Sequence, residues 1–353
     1  MTNENKNSPG RKNTSYIIYA VGSLILVLGL FFAFKFYTVY FAGNVTGKAK
    51  YVYIHTGSDL QDVYESMEKS DALKSIGSFQ DAAERMDLAL RIKPGRYKIT
   101  KGMNNRSLIN MIKSGNQEPV NLKFQNIRRK EDFAGYLAKT LEADSLAFIK
   151  VLDSAALVQE HGFTQDNIYT MFIPNTYEMY WNTSPEEFFH KMKAEYEKFW
   201  TAERKKKAAA LDLTPVQVSI LASIVDGEAI FDKEMPIIAG LYLNRLKRGI
   251  LLQADPTVIF ANGDFTVKRV TYALLKKDSK YNTYKYAGLP PGPIMMPSIN
   301  AVDAVLNKDD NNYLYMCAKE DFSGYHAFAE NVVQHEINAR KYREALNKRK
   351  IFR

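Results

Sequence analysis

The chain has 353 residues, 46% hydrophobic and 25% charged, with one cysteine and a formal net charge of +9. Such a composition is globular, and the length allows two or three compact units. It excludes an internal disulfide, and no Cys/His spacing suggests a metal site. No GxGxxG or GxxxxGK[ST] phosphate loop is present. The positive residues are mostly scattered. The clusters Arg204 to Lys207 and Lys348 to Arg353 fall in polar helical or terminal sequence, where a solvated face is expected. A nucleic-acid partner is therefore not expected. Anionic headgroups or an anionic polymer would suit the excess charge.

In chain order, a polar Asn-rich tail over residues 1–15 precedes an apolar run from Tyr16 to Phe36. That run has the length of a helix spanning a hydrocarbon core of roughly 30 Å. Tyr16 and Tyr19 at one end, and Phe36, Tyr37 and Tyr40 at the other, suit two membrane interfaces, and Lys35 can snorkel. The run is longer than a cleavable leader, so residues 16–40 are expected to form a retained anchor. Lys6, Arg11 and Lys12 before it and Lys35, Lys48 and Lys50 after it leave the orientation weakly biased.

Residues 41–118 read as a short linker (Phe41 to Lys50) and a small unit. Tyr51 to His55 alternates as a strand does. Ser58 and Gln61 form a capping box for a helix through about Lys69, and a second helix is expected from Ser78 to Arg91. Lys93-Pro94-Gly95 is a turn before a strand Arg96 to Ile99. A helix Ser107 to Ser114, stopped by Gly115, closes the unit.

Residues 119–210 read as mainly helical connecting sequence. Val120 to Ile127 alternates as a strand; helices are expected over Lys130 to Leu141 and Ser145 to Leu157. A capping box at Ser184 opens a long helix to about Ala209. Before it, FIPNTYEMYW carries Asn175 and Tyr177. Such a segment suits sugar binding by stacking and hydrogen bonds, and it suits an ordinary core seam somewhat better.

Residues 211–353 hold the most informative stretch, LASIVDGEA, Leu221 to Ala229. Thr214, Pro215 and Gln217 mark a helix start. Leu221, Ile224 and Val225 stand seven, four and three residues before Glu228, so all four share one helix face. A carboxyl on an apolar face loses hydration and its pKa rises, which a general acid working near neutral pH requires. The plain alternative is a Glu at a helix end, turned to water. Asp226 projects to another side. Farther on, Asp255-Pro256 is turn-like, Ser298 can cap a helix from Ile299, and Cys317 sits in the strand-like YLYMCA, where a buried inert thiol is expected.

The Glu228 segment is followed by NRL (Asn244 to Leu246), LLQADPTVIFANG (Leu251 to Gly263), YNTYKYAGLPPGPIMMPS (Tyr281 to Ser298) and YLYMCAKEDFSGYHAFA (Tyr313 to Ala329). In order and spacing these blocks resemble the endolytic murein transglycosylases, the YceG-like family. Weaker similarity runs through KPGRYKI, LINMIKSG and FIPNTYEMY. The resemblance implies an α+β fold: one N-terminal transmembrane helix, a LysM-like small α+β module, and an α+β catalytic domain with a helix-borne catalytic Glu. Glu228 would be that residue, alone acting as acid and then base, while the sugar's own C6 hydroxyl attacks and leaves an anhydro end. Family members commonly have Glu at Asp226, Lys or similar at Gly227, and Asp at Asn175. Softer substrate-binding roles fall on Gln253, Asp255, Thr257, Asn282, Tyr284, His326, Asn175 and Tyr177. The Leu289 to Pro293 turn would shape a cleft wall. The implied partners are peptidoglycan strands, inner-membrane lipid and penicillin-binding protein synthases. No cofactor and no metal are implied. The C-terminal bulk would lie outside the cytoplasmic membrane. A hydrolytic muramidase and a non-catalytic murein-binding scaffold are the competing readings. A pyridoxal-phosphate lyase is disfavoured, with no Schiff-base Lys or phosphate cradle apparent.

Overall fold

A computed structural model describes residues 10–267 and 269–349. The terminal stretches 1–9 and 350–353, parts of the expected tail and basic C-terminus, lie outside the described residues. The chain divides into two compact units, Met1–Val120 with Tyr180–Asn182, and Asn121–Met179 with Thr183–Arg353.

The first unit opens with α1 (Gly10–Tyr40), whose stretch Tyr16–Tyr40 is apolar, exposed as far as Tyr37 and long enough to cross a membrane. It is a candidate anchor. Then follow β1 (Tyr51–Ile54), α2 (Leu60–Lys69), α3 (Ile76–Arg85), β2 (Gly95–Lys98) and α4 (Asn105–Ser114). β1 and β2 pair antiparallel, with Val52 opposite Tyr97. Their inward residues Val52, Ile54 and Tyr97 meet Val63, Met67, Phe79 and Ile109 in one core.

The expected linker at 41–50 is part of this core. Val45 is fully buried, and bridges join Gly43 to Asn104 and Val45 to Leu73. Two interior asparagines fix the end of α1. The Asn105 amide donates to Val39 O at 2.8 Å and to Ser78 O at 3.0 Å, and Asn44 donates to Asn105 Oδ1 at 2.8 Å. Polar groups so placed must all be satisfied, which makes the joint specific.

Several boundaries differ from the sequence reading, each for a local reason. The His55–Ser58 turn uses the Ser58 N–H, so the capping box of α2 is Asp59 with Asp62 rather than Ser58 with Gln61. The second helix stops at Arg85. Asp87 takes a left-handed φ of 50°, and a 3-10 turn Leu88–Arg91 then buries Leu88. Asn104 caps α4, which begins at Asn105, two residues before the expected Ser107.

The second unit begins within β3 (Val120–Phe124), which pairs with β4 (Asn175–Met179). β3 ends three residues before the expected Ile127, and Asn126 beyond it turns to φ 54°. Between the strands lie α5 (Lys130–Thr140), α6 (Ser145–Leu152) and α7 (Ala155–Glu160). One helix was expected over α6 and α7; Ser154 instead caps α7 by accepting from Leu157 N. Likewise the long helix after Ser184 is two, α8 (Pro185–Phe199) and α9 (Ala202–Ala210), because Trp200 turns into the core and Thr201 caps the second.

The remainder is α10 (Pro215–Glu228), α11 (Met235–Lys247), α12 (Asp255–Asn262), α13 (Tyr272–Leu275), α14 (Ile299–Leu306), β5 (Tyr315–Ala318), β6 (His326–Ala329) and α15 (Val332–Lys348). α10 is central. The Thr214–Gln217 capping box holds its start, and every residue from Val218 to Val225 is buried. It packs on α9, α11, α12 and α14. Each buried Leu, Ile or Val adds about 1.5–3 kcal/mol of transfer free energy, so the helix has one stable placement. β5 and β6 form an antiparallel hairpin, Cys317 opposite Ala327, backed by α15.

Candidate active site

Glu228 is the last residue of α10, where the buried cylinder ends. Gly227 lets this turn approach α12, since a Cβ there would stand 3.0 Å from the Pro256 ring. The side chain of Glu228 enters a pocket of about 350 Å³, lined also by Tyr242, Arg245, Gln253, Asp255, Tyr284, Cys317, His326 and His335. Half-buried, it receives a hydrogen bond from Tyr242 Oη at 3.0 Å and one from the Asp255 backbone N–H. Burial, and then the nearby Asp255 charge, push its pKa up to about 7, while the Tyr242 hydrogen bond pulls down. Tyr242 itself is raised well above the usual phenol value, first by burial. It therefore remains a proton donor to Glu228 Oε1.

A second layer holds these groups. Tyr284 Oη donates to Asp255 Oδ1 at 2.6 Å. Arg245 is buried and donates from Nε to Leu251 O (2.8 Å), from Nη1 to Leu314 O (2.6 Å) and from Nη2 to Gln253 Oε1 (2.6 Å). Opposite, buried Glu234 accepts from His326 N at 2.8 Å and meets His326 Nδ1 at 3.0 Å. A hydrogen bond from Nδ1–H to the carboxylate fixes the ring and leaves Nε2 as the nitrogen available to the pocket.

Asp226, two residues before Glu228, lies outside the pocket lining. Its Oδ2 accepts from Ser298 N at 2.7 Å, and Ser298 caps α14. Its pKa is raised by burial, against the opposing Ser298 hydrogen bonds. The geometry makes it a tie between α10 and α14.

Of the sequence-derived site residues, Glu228, Gln253, Asp255, Tyr284 and His326 line one pocket. Thr257 and Asn282 do not join them. Both are fully buried. Thr257 bonds Thr283 Oγ1 at 2.8 Å and Ala254 O at 2.7 Å, and Asn282 donates to Leu275 O and Lys277 O. They satisfy loop backbone, which leaves no donor for a sugar. Tyr177 is also in a core: it stacks on Phe124 at 5.5 Å and bonds Ile173 O. Asn175 is exposed on β4, away from this lining, its side chain accepting from Thr176 N. The Leu289 to Pro293 turn packs instead on the Asp166 segment, where a Cβ on Gly292 would overlap Asp166 O. Cys317 is half-exposed in the pocket rather than buried, and its thiol is raised above its ordinary value by burial. Asp255 makes no capping bond; Ala254 holds that position.

Tyr242, Glu234 and His335 carry no sequence-derived role, and Arg245 enters only as the middle of the NRL block. A charged Arg245 and Glu234 at the two ends of the apolar α11 run were the available signal. Among the described residues, no group of three or more His, Cys, Asp or Glu could hold a metal ion.

One carboxyl with a pKa of about 7, held by fixed donors and lining an open pocket, is the equipment of a general acid–base enzyme. The YceG-like family model matches residues 52–341, and the chain belongs to that family. A relative from Bacillus subtilis (strain 168), named endolytic murein transglycosylase, is 26% identical over 315 residues, 84% of this chain and 85% of the relative. One of the same name from Streptococcus pneumoniae (strain D39) is 24% identical over 323 residues, 82% of this chain and 57% of that protein's length. The fold is similar to the crystal structure of a YceG-like protein from Listeria monocytogenes, with a TM-score of 0.54 and 22% identity. That match covers 81% of this chain and 97% of the other.

Proposed function

We propose that this chain is a membrane-anchored lytic transglycosylase. It cuts peptidoglycan strands internally at the bond from N-acetylmuramic acid to N-acetylglucosamine, leaving 1,6-anhydro ends that help terminate growing strands. The observation that carries the reading is Glu228, whose pKa stands at about 7 in an open pocket. Protonated Glu228 gives its proton to the glycosidic oxygen as that bond breaks. The resulting carboxylate then takes the proton of the muramic C6 hydroxyl, whose oxygen closes on the anomeric carbon. The attack is intramolecular, so its effective concentration is high and neither an enzyme nucleophile nor water is needed. Tyr242 and the Asp255 N–H stabilise the carboxylate between the two steps.

The strand–helix–helix–strand order of the first unit supports a LysM-like, strand-holding role for residues 41–118. The apolar α1 supports anchoring, with residues beyond it outside the cytoplasmic membrane, beside the penicillin-binding protein synthases that make new strands. Asp255, in the same pocket, favours one second reading: a two-carboxylate muramidase that adds water. Incubating the full-length protein in detergent with purified glycan strands and weighing the products separates the two. Anhydro-ended fragments support the transglycosylase. Fragments one water heavier establish the hydrolase, and intact strands still bound establish a non-catalytic scaffold.

A further inference from the structure

Gln253 is exposed in the Glu228 pocket, at a left-handed φ of 52° unusual for a residue other than glycine. The backbone holds it there, with Gln253 N donating to Thr283 O at 3.1 Å. Its side chain meets Arg245 Nη2 at 2.6 Å. A guanidinium has five donors and no acceptor, so only the amide oxygen of Gln253 can face it. The other end of the amide is then fixed as an NH2 group. Arg245 cannot turn to allow a flip, because Nε and Nη1 are held by Leu251 O and Leu314 O.

We infer that Gln253 is a specificity-determining residue whose locked NH2 donates to the carbonyl oxygen of an N-acetyl group on the strand. The inference rests on the glycan-cleaving reading above and adds the chemical group that the pocket reads. An amide free to rotate would accept a hydroxyl or an ammonium as readily as it donates to a carbonyl. One fixed by Arg245 keeps its oxygen on the guanidinium and turns its NH2, a donor, away from it. An N-deacetylated amino sugar brings an ammonium with no acceptor, and at Gln253 it meets donor against donor.

The test compares glycan strands of one preparation, N-acetylated and enzymatically N-deacetylated, cleaved by the full-length protein. The wild type is expected to favour acetylated strands by about tenfold or more in kcat/KM, mostly through KM. Gln253→Met should bring the two substrates close to equality by loss on the acetylated one. Gln253→Glu offers a carboxylate to the ammonium and should reverse the order. Equal rates in the wild type overturn the inference and leave the function standing. So does an unchanged preference in either variant, with melting temperature retained. Cleavage of neither substrate by the wild type overturns the transglycosylase reading and this inference with it.

Discussion

Glu228→Gln should make the protein more stable, and only at high pH. The carboxyl stands at about 7 against an ordinary 4.5. At 1.36 kcal/mol per unit, ionising it in the fold costs about 3 kcal/mol more than in water. One side opens to the pocket, and screening there lowers the figure to about 2 kcal/mol. The sign follows from a folded pKa raised above the unfolded one. Between pH 4.5 and 7 the native state keeps a proton that the unfolded state has released, so stability falls as pH rises through that window. Gln has no such proton and still accepts from Tyr242. The variant should match the wild type near the acid end and exceed it by about 2 kcal/mol above pH 7. At about 2–4 °C per kcal/mol for a unit of this size, the melting temperature should rise by several degrees. Circular-dichroism melts of both full-length proteins in detergent, from acid to mildly alkaline buffer, read the gap directly. A gap that does not change with pH, or a wild type more stable at the alkaline end, would refute the argument.

Tyr242→Phe removes the bond that lowers the Glu228 pKa, so the alkaline limb of the pH–rate profile should move up by about one unit while the rate itself drops. An unmoved limb would contradict the assigned contact. Asn105→Ala strands Val39 O and Asn44 in the first unit's interior, and should cost about 2 kcal/mol or more, with faster hydrogen exchange at residues 39–45. A melting temperature within a degree or so of wild type would show the joint to be dispensable. Protease added outside spheroplasts should digest the part beyond α1; digestion only after lysis would reverse the proposed orientation.

Much of the framework is readable from local sequence. The Thr214–Gln217 box and Pro215 start α10 where local chemistry places them, because capping depends on neighbours three residues apart. Ser298 caps α14 for the same reason. The misread boundaries at Asp87, Ser154 and Trp200 are interruptions within continuous helical periodicity. There tertiary burial of Leu88 or Trp200 overrides propensity. The pocket divides along the same line. Glu228 stands out because a carboxyl on an apolar face is chemically conspicuous. Glu234 and His326 lie 92 positions apart, and Arg245 reaches Leu314 across 69. No spacing rule reports such contacts. Thr257 and Asn282 mislead in the opposite sense: polar side chains in a loop suggest ligand contacts, yet these two satisfy buried loop backbone. The asparagines at the end of α1 give no sequence signal beyond their polarity.

The central claim is that Glu228, and not its neighbour Asp226, is the working carboxyl. The most direct measurement is the rate of anhydro-end formation by Glu228→Gln and Asp226→Asn, assayed on the same glycan strands with folding checked by circular dichroism. Glu228→Gln should lose about two to four powers of ten, because one group does both proton transfers. Asp226→Asn should keep most of the rate and instead lower the melting temperature through its tie to Ser298. A folded Glu228→Gln with near-normal activity, or a deeper loss in Asp226→Asn, would contradict the account.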